Sequence, residues 1–251
     1  MKKILTTLAM ASTFASTMNA DMIRTEIGGG LWGQNPSGTF KYEDGAIRGK
    51  YTSNEEFNNG AYVWMFIKHP LPAVPNLRLE FTDMKDEAIV NGKFDDFEAT
   101  NSPARIKLKE YDVIPYYNIL DNTFWATLDL GLDIKVIDST FEVDEADVNG
   151  EIVKYTDTAM IPLPMLYARV RTEIPLSGFA FETDGKYFAY NGSVVYDVRA
   201  KVDYTFDSFP LVQPAIEVGY RIQKFDISID GDKKKLDIDF SGVYAGLMLR
   251  F

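Results

Sequence analysis

The chain has 251 residues, of which 46% are hydrophobic and 14% aromatic, with a formal net charge of −11, no cysteine and one histidine. The lack of cysteine excludes thiol catalysis, disulfides and cysteine-based metal sites. The acidic balance argues against nucleic-acid partners, which basic patches recruit.

The pattern of residues 1–20 predicts a secretory signal peptide. Two lysines supply the positive start, residues 4–11 form a short apolar core, and Ala20 is a suitable last residue before cleavage. The core is too short to span a bilayer, which takes about 20 apolar residues. We therefore expect a single mature domain, residues 21–251, that has left the cytoplasm.

Most of the remaining chain alternates between apolar and polar side chains with a period of two residues, which indicates β-strands. The runs have about the 9–11 residues that a tilted membrane strand needs. The pattern predicts ten strands, with eight as the alternative, near 22–34, 60–69, 76–86, 104–120, 123–141, 153–174, 179–190, 193–207, 213–229 and 236–251.

The predicted connections alternate in length. Short turns rich in Pro, Gly, Asp and Asn are expected at 70–76, 121–122, 176–178 and 208–211. Longer polar loops are expected at 35–59, 86–103 and 142–152. Short turns at one rim and long loops at the other are typical of outer-membrane barrels. The fold prediction is therefore all-β: a single antiparallel up-and-down transmembrane β-barrel, with a soluble β-sandwich as the alternative.

Two features favour the barrel over the sandwich. Aromatic residues cluster at the inferred rims, where membrane barrels carry interfacial girdles: Tyr116, Tyr117, Phe124, Trp125, Phe206 and Phe209. The last strand also has a continuous apolar face from Val243 to Phe251. Above Val243 the pattern reverses, with Ser241 facing outward and Phe240 inward, which predicts an upper membrane boundary near Ser241.

The same strand carries a recognisable signature. Gly246-x-x-Leu249-x-Phe251, with Tyr244 upstream, resembles the C-terminal assembly signal of bacterial outer-membrane proteins. Together with the stretches at 28–32, 70–80, 117–122 and 237–244, it resembles a family of small, functionally uncharacterised Gram-negative outer-membrane β-barrel proteins. The resemblance implies a place in the cell outer membrane among lipid and lipopolysaccharide, and insertion by the barrel-assembly machinery. It supplies no catalytic, cofactor-binding or metal-binding residues.

The polar faces of the strands point into the predicted barrel and are rich in charge. The predicted lumen charge network consists of Asp129, Asp133, Arg169, Arg171, Asp197, Arg199, Lys201, Asp203, Glu217 and Arg221. Further inward charges are expected at Arg78, Glu80, Glu110, Asp112, Glu182, Asp184 and Lys186. Since small barrels are just wide enough for side chains to fill them, the mixed charges favour a plug. A narrow, charge-selective pathway is the alternative.

Candidates for chemistry are few. His69, the single histidine, lies beside a short turn and is expected to be structural, with a general base as the alternative. The acidic segments are expected to be solvated loops, with divalent-cation binding as the alternative: Asp83, Asp86 and Glu87; Asp95 and Asp96; Asp144, Glu145 and Asp147; Asp226, Asp230 and Asp232.

The sequence therefore predicts a non-enzymatic outer-membrane barrel without a cofactor. Its expected role is structural or in interactions, with at most limited passage of small solutes. A narrow channel or transporter is the first alternative, and an outer-membrane enzyme acting on lipid or peptide is the second. The oligomeric state is left open.

Overall fold

The computed structural model describes residues 23–251 except 45–46, 72, 95, 124, 149, 207–210 and 230–233. The signal peptide predicted at 1–20 lies outside the described residues. No helix among the described residues is long and apolar enough to cross a bilayer. The strands are β1 (Arg24–Asp44), β2 (Ile47–Ser53), β3 (Asn58–Lys68), β4 (Asn76–Lys93), β5 (Glu98–Thr123), β6 (Ala126–Val148), β7 (Glu151–Glu173), β8 (Phe179–Tyr190), β9 (Ser193–Thr205), β10 (Gln213–Ile229) and β11 (Lys234–Arg250).

These strands form one closed antiparallel ring. Each strand from β4 to β11 pairs with the next, and β11 closes on β1. β2 and β3 together fill one position, since β2 lies between the upper parts of β1 and β4 and β3 lies between their lower parts. The ring therefore has ten strand positions, which confirms the predicted all-β, up-and-down barrel.

The three segments predicted as long loops are mostly strand. β1 and β2 cover much of 35–59, β4 and β5 leave only a short connection within 86–103, and β6 and β7 almost meet within 142–152. The prediction was wrong because it followed the outward apolar face. Above that face the alternation continues with the opposite sense, apolar inward and polar outward.

The outer surface carries an apolar band with a sharp upper border. Each ring position exposes a large apolar side chain within the band: Leu31, Val63, Leu79, Val113, Leu132, Leu166, Phe181, Val198, Val218 and Leu247. On β4 the outward residues change from Phe81 to Asp83, and on β11 from Val243 to Ser241. This agrees with the boundary predicted near Ser241.

Candidate functional site

The barrel interior contains the largest concentration of ionisable side chains. All ten residues of the predicted lumen charge network lie inside the barrel, each no more than 8% exposed. The seven further inward charges expected from the sequence are buried there as well. Glu26 and Lys135 join them, although the sequence analysis did not include either. The parity that Lys135 shares with Asp133 on β6 is the signal that identifies it.

At the lower end, arginines bind carboxylates from several strands at once. Arg171 makes a two-pronged contact with Asp203, at 2.6 and 3.0 Å. Arg169 donates to Asp129 at 2.5 Å and to Glu182 at 2.8 Å. A planar guanidinium suits such bidentate bonds, so these pairs connect β6, β7, β8 and β9 around the lower lumen.

In the middle of the lumen, Glu80 acts as a hub. Its carboxylate accepts hydrogen bonds from Arg78, from Arg199 at 2.6 Å and from Lys186 at 2.7 Å. Arg199 also binds Asp184 at 2.6 Å. Because Arg199 lies on β9 and Glu80 on β4, this pair reaches across the lumen and not along the sheet.

The next layer contains two further groups of paired charges. Lys135 contacts Glu110 at 2.8 Å and Asp112 at 2.9 Å, and Arg221 binds Asp197 through both oxygens, at 2.8 and 2.7 Å. The attraction between buried charges with this many partners offsets much of the free-energy cost of removing them from water. The layer fills the lumen with side chains that hold one another in place.

Asp133 differs from its neighbours in this layer. It is fully buried, and neither of its carboxylate oxygens has a hydrogen-bond partner among the described residues. The nearest cation is Lys186, at 3.9 Å. Asp112 also lacks a hydrogen bond within the described part of the chain, but it lies 2.9 Å from Lys135 and 3.1 Å from Lys186. Since an unsatisfied buried carboxyl group is costly, Asp133, the less closely paired of the two, is a weak point of the layer.

Aromatic side chains from β1 and β3 complete the interior. Glu217 accepts from the Tyr62 hydroxyl at 2.8 Å, from Trp64 Nε1 at 3.1 Å and from Lys201 at 2.8 Å. Lys201 also lies over the Trp64 ring, 4.7 Å from its centre. Glu217 and Lys201 belong to the predicted network, but Tyr62 and Trp64 were not predicted to point inward, because the segment around them is apolar on both faces. The hydroxyl of Tyr and the indole N–H of Trp, which need hydrogen-bond partners when buried, are the available clue.

Beside these aromatic residues there is a cavity of about 10 Å³, lined in part by Trp32, Trp64, Arg199 and Arg221. Such a volume accommodates about one water molecule. At this level the described side chains therefore leave room for water but not for a hydrated solute.

Above the charged layers the interior becomes apolar. Phe94 stacks on Phe97 with ring centres 4.6 Å apart, Phe97 meets Tyr155 at 4.6 Å, and Tyr51 meets Phe141 at 6.0 Å. Ring pairs at these separations pack favourably. A cluster of aromatic rings thus lies above the ion pairs.

One carboxylate lies within this upper layer. Asp86 is fully buried and accepts hydrogen bonds from the Tyr51 hydroxyl at 2.8 Å and from the Ser53 hydroxyl at 2.7 Å. Burial raises the pKa of Asp86 above its usual value, and burial together with Asp86 raises the pKa of Tyr51. The prediction that Asp86 belongs to a solvated loop was wrong, because β4 continues and turns this side chain inward.

Most residues of the other acidic segments also lie on strands and not in the predicted loops. Asp83, Asp144 and Asp226 lie on strands, and Asp144 pairs with Arg105 at 3.1 Å. Glu87, Glu145 and Asp147 also lie on strands, and Asp96 lies in the short link between β4 and β5. Asp95, Asp230 and Asp232 lie outside the described residues. Within the part of the chain that the structure describes, no group of three or more His, Asp or Glu side chains is arranged to hold a metal ion.

His69 lies in the link between β3 and β4. Its Nε2 is 3.1 Å from the carbonyl oxygen of Pro75, and the Leu71 amide donates to its Nδ1 at 3.2 Å. Both ring nitrogens are thereby engaged by the backbone of the turn that contains the residue.

The residues of the C-terminal signature separate onto two faces of β11. Leu249 and Phe251 are exposed on the outside, whereas Tyr244 is buried and packs edge-on against Tyr62, 5.4 Å between ring centres. Gly246 pairs with Gly30 across the closing seam. A side chain at Gly246 would collide with the Tyr62 hydroxyl and the backbone of β1.

The aromatic residues expected at the rims fall into three groups. Tyr117, Trp125 and Phe206 are exposed. Tyr116 is buried inside and stacks on Phe66 at 4.9 Å, so its placement in the girdle was wrong. Its parity on β5 matches that of Asp112 and not that of Tyr117. Phe124 and Phe209 lie outside the described residues.

No family model matches the chain, and no curated protein matches it. Among solved structures, the outer membrane protease OmpT from Escherichia coli matches with a TM-score of 0.53 and 12% identity, covering 94% of this chain and 99% of that one. A Pseudomonas aeruginosa FadL homologue matches over 92% of this chain and 90% of its own, at 9% identity and a TM-score of 0.28, too low to carry an argument. The likeness to OmpT shows the fold: this chain is a β-barrel of the outer-membrane type.

Proposed function

We propose that this chain is a non-enzymatic, integral outer-membrane barrel with a sealed interior and a structural or interaction role at the cell surface. The double filling of the lumen is the observation that carries the proposal. Ion pairs occupy the interior within the apolar band, and aromatic rings occupy it above. A conducting barrel needs a continuous polar path, and here the two layers follow one another along the axis.

The outer surface supports the proposed location. An apolar band around all ten positions suits the hydrocarbon of a bilayer, and the charged residues above it suit the headgroup region and the medium. Outer-membrane lipid and lipopolysaccharide are then the surroundings, and the barrel-assembly machinery is the insertion partner. We expect the native protein in the outer-membrane fraction, with heat-modifiable migration on gels. A native protein that fractionates as a soluble periplasmic species would contradict this location.

Planar-bilayer recording tests the sealed interior. Folded protein should give a flat trace. Replacement of Arg199 and Arg221 by Ala should still give no conductance, because the aromatic layer is intact. Adding Phe94→Ala and Phe97→Ala to that variant thins both layers and should give measurable current. Steady, ion-selective conductance of the wild-type protein would overturn the proposal and favour a narrow channel or transporter.

An enzyme is the second candidate, because the OmpT structure that shares the fold is named a protease. Against this candidate, both ring nitrogens of His69 contact the backbone of the turn between β3 and β4. We expect no hydrolysis of phospholipid, lipid A or peptide by the purified protein. A hydrolytic activity that His69→Ala abolishes would refute the non-enzymatic proposal.

A further inference from the structure

The wall of the barrel is uneven in height. The β8–β9 hairpin turns between Tyr190 and Ser193, whereas β7 extends much further up, to Glu151. β7 pairs with β8 only from Leu166 to Glu173. From Glu151 to Met165, about 45 Å at ~3.3 Å per residue, β7 has β6 on one side and no strand on the other among the described residues.

Two prolines define the polarity of this free edge. Pro162 and Pro164 pair with Val136 and Ile134, in the part of the β6–β7 ladder that is continuous from Ala126 to Val143 before the register shifts between Val143 and Ala146. Their missing N–H groups therefore do not disturb that side. In an antiparallel strand the N–H and C=O of one residue point to the same neighbour, and alternate residues point to opposite neighbours. Thr158, which shares the parity of the prolines, therefore directs its N–H and C=O toward the free edge. There its N–H donates to Asp157 Oδ1 at 2.8 Å, a contact within one strand that an added strand would replace.

The inner face of the same segment is open to solvent. On a closed wall an inward residue is buried, as Met165 is at 1% exposure. Higher up, Val153 and Ile161 have the same inward parity but are 40% and 37% exposed. The low β8–β9 hairpin thus leaves a notch, in which the free edge of β7 lies beside apolar side chains.

The notch has an acidic environment. Residues 138–161 of the β6–β7 hairpin contain seven carboxylates and one lysine: Asp138, Glu142, Asp144, Glu145, Asp147, Glu151, Asp157 and Lys154. Glu142 is paired with Arg105, Lys107 and Lys154, and Asp144 with Arg105, so the acidic charge beside the notch comes mainly from Asp96 and Asp157. Tyr155, which points into the notch, donates to Asp96 at 3.3 Å. Burial, with Asp96 and Asp157 nearby, raises the pKa of Tyr155 to about 12. Asp96 and Asp157 are therefore close enough to influence any group placed beside Tyr155.

We propose that the free edge of β7, residues 152–160, binds an extended cationic peptide segment as an added β-strand. Backbone hydrogen bonds to the even-numbered residues would supply affinity, as in other cases of strand addition. Basic side chains facing Asp157 and Asp96, with apolar side chains against Val153 and Ile161, would supply selectivity. The inference rests on the proposed function, for which it names the chemistry of the partner.

The test uses full-length protein folded in detergent and a fluorescent ten-residue peptide of alternating Lys and Val, with binding measured by anisotropy. We expect saturable binding that weakens with salt. Thr158→Pro should weaken binding at least tenfold, because it removes a free-edge donor without touching the β6 ladder. Thr158→Val is the matched control and should bind like the wild-type protein. Asp157→Lys reverses the charge facing the notch and also removes the contact between Asp157 and the Thr158 N–H. It should weaken binding at least tenfold and serves if the proline variant does not fold.

Three results would overturn the inference. The first is equal affinity of Thr158→Pro and the wild-type protein for the Lys–Val peptide. The second is equal affinity of the wild-type protein for a Glu–Val peptide. The third is a dimer that Thr158→Pro dissociates, because the edge would then bind a second copy of this chain. The outcome is separable from that of the sealed interior. If the protein binds no peptide but still gives a flat trace in bilayer recording, the peptide site is refuted and the sealed interior is not.

Discussion

Two buried carboxylates near the same lysine give the sharpest test of the interior network. Glu80 and Asp133 are both within 3.9 Å of Lys186 Nζ and both almost fully buried. Glu80 accepts hydrogen bonds from three cations, whereas Asp133 has no hydrogen bond among the described residues. Glu80→Gln and Asp133→Asn each replace a carboxyl group by an amide of nearly the same shape. Their effects on stability should nevertheless differ in sign or in size.

The magnitude follows from the partners left behind. Without the Glu80 charge, Arg199 keeps Asp184 at 2.6 Å and Lys186 keeps Asp112 at 3.1 Å. Arg78 keeps two weaker contacts, with Glu182 at 3.6 Å and with the Tyr167 hydroxyl at 3.4 Å. Breaking a buried ion pair costs about 3–5 kcal/mol, so with this partial compensation we expect Glu80→Gln to lower the free energy of unfolding by about 3 kcal/mol.

Asp133→Asn should not lower the free energy of unfolding, because it removes a buried carboxyl group that has no hydrogen-bond partner among the described residues. Urea unfolding of the barrel in lipid vesicles, followed by tryptophan fluorescence, measures both variants on the same scale. Gel mobility of unheated samples confirms that each variant is folded before unfolding begins. Equal losses in the two variants, or a larger loss for Asp133→Asn, would refute this account of how the interior is stabilised.

Two further predictions concern other parts of the barrel. Burial raises the pKa of Asp86 above 3.8, so the folded protein keeps a proton on this carboxyl at a pH where the unfolded chain has released it. The free energy of unfolding should therefore fall as the pH rises from about 4. Asp86→Asn should remove this pH dependence, as measured by urea unfolding at several pH values. At the closing seam, a Cβ at Gly30 would lie 2.0 Å from the Ala245 carbonyl oxygen, whereas at Gly185 the nearest atom is 3.8 Å away. Gly30→Ala should therefore abolish heat-modifiable migration and Gly185→Ala should retain it, and the reverse result would contradict the register of the seam.

Much of the fold could be predicted because a strand with one face toward lipid alternates regularly between apolar and polar side chains, and this alternation identifies it as a strand. β9 shows it clearly from Tyr196 to Tyr204, with charged residues at the odd positions and apolar residues at the even ones. The upper halves of β1, β4 and β6 were missed because there the outward residues are polar. A reversed alternation mixed with Asn, Gly and Asp resembles a loop when only the apolar stripe is followed.

The interior could be predicted in composition but not in pairing. Parity alone assigns Arg199 and Asp197 to the lumen. Which acid Arg199 binds depends on reach across the barrel: Glu80 is 119 residues away in sequence, on a strand that is not a neighbour of β9. Tyr62 and Trp64 escaped prediction for a different reason, since an aromatic residue suits both lipid and a hydrogen-bonded interior.

The reversal of polarity along the barrel axis links these observations. Within the apolar band, lipid surrounds the barrel, so charges such as Arg171 and Asp203 must turn inward and satisfy one another. Above the band the surroundings favour charge, and the interior can be filled by rings such as Phe97 and Phe141, as in a soluble protein. The interior is thus filled by ion pairs where the surroundings are apolar and by aromatic rings where the surroundings are polar, and a sealed barrel contains both kinds of filling. Because the wall above the band no longer has to close against lipid, β7 can rise past β8 with an unpaired edge, which a membrane-embedded strand could not retain.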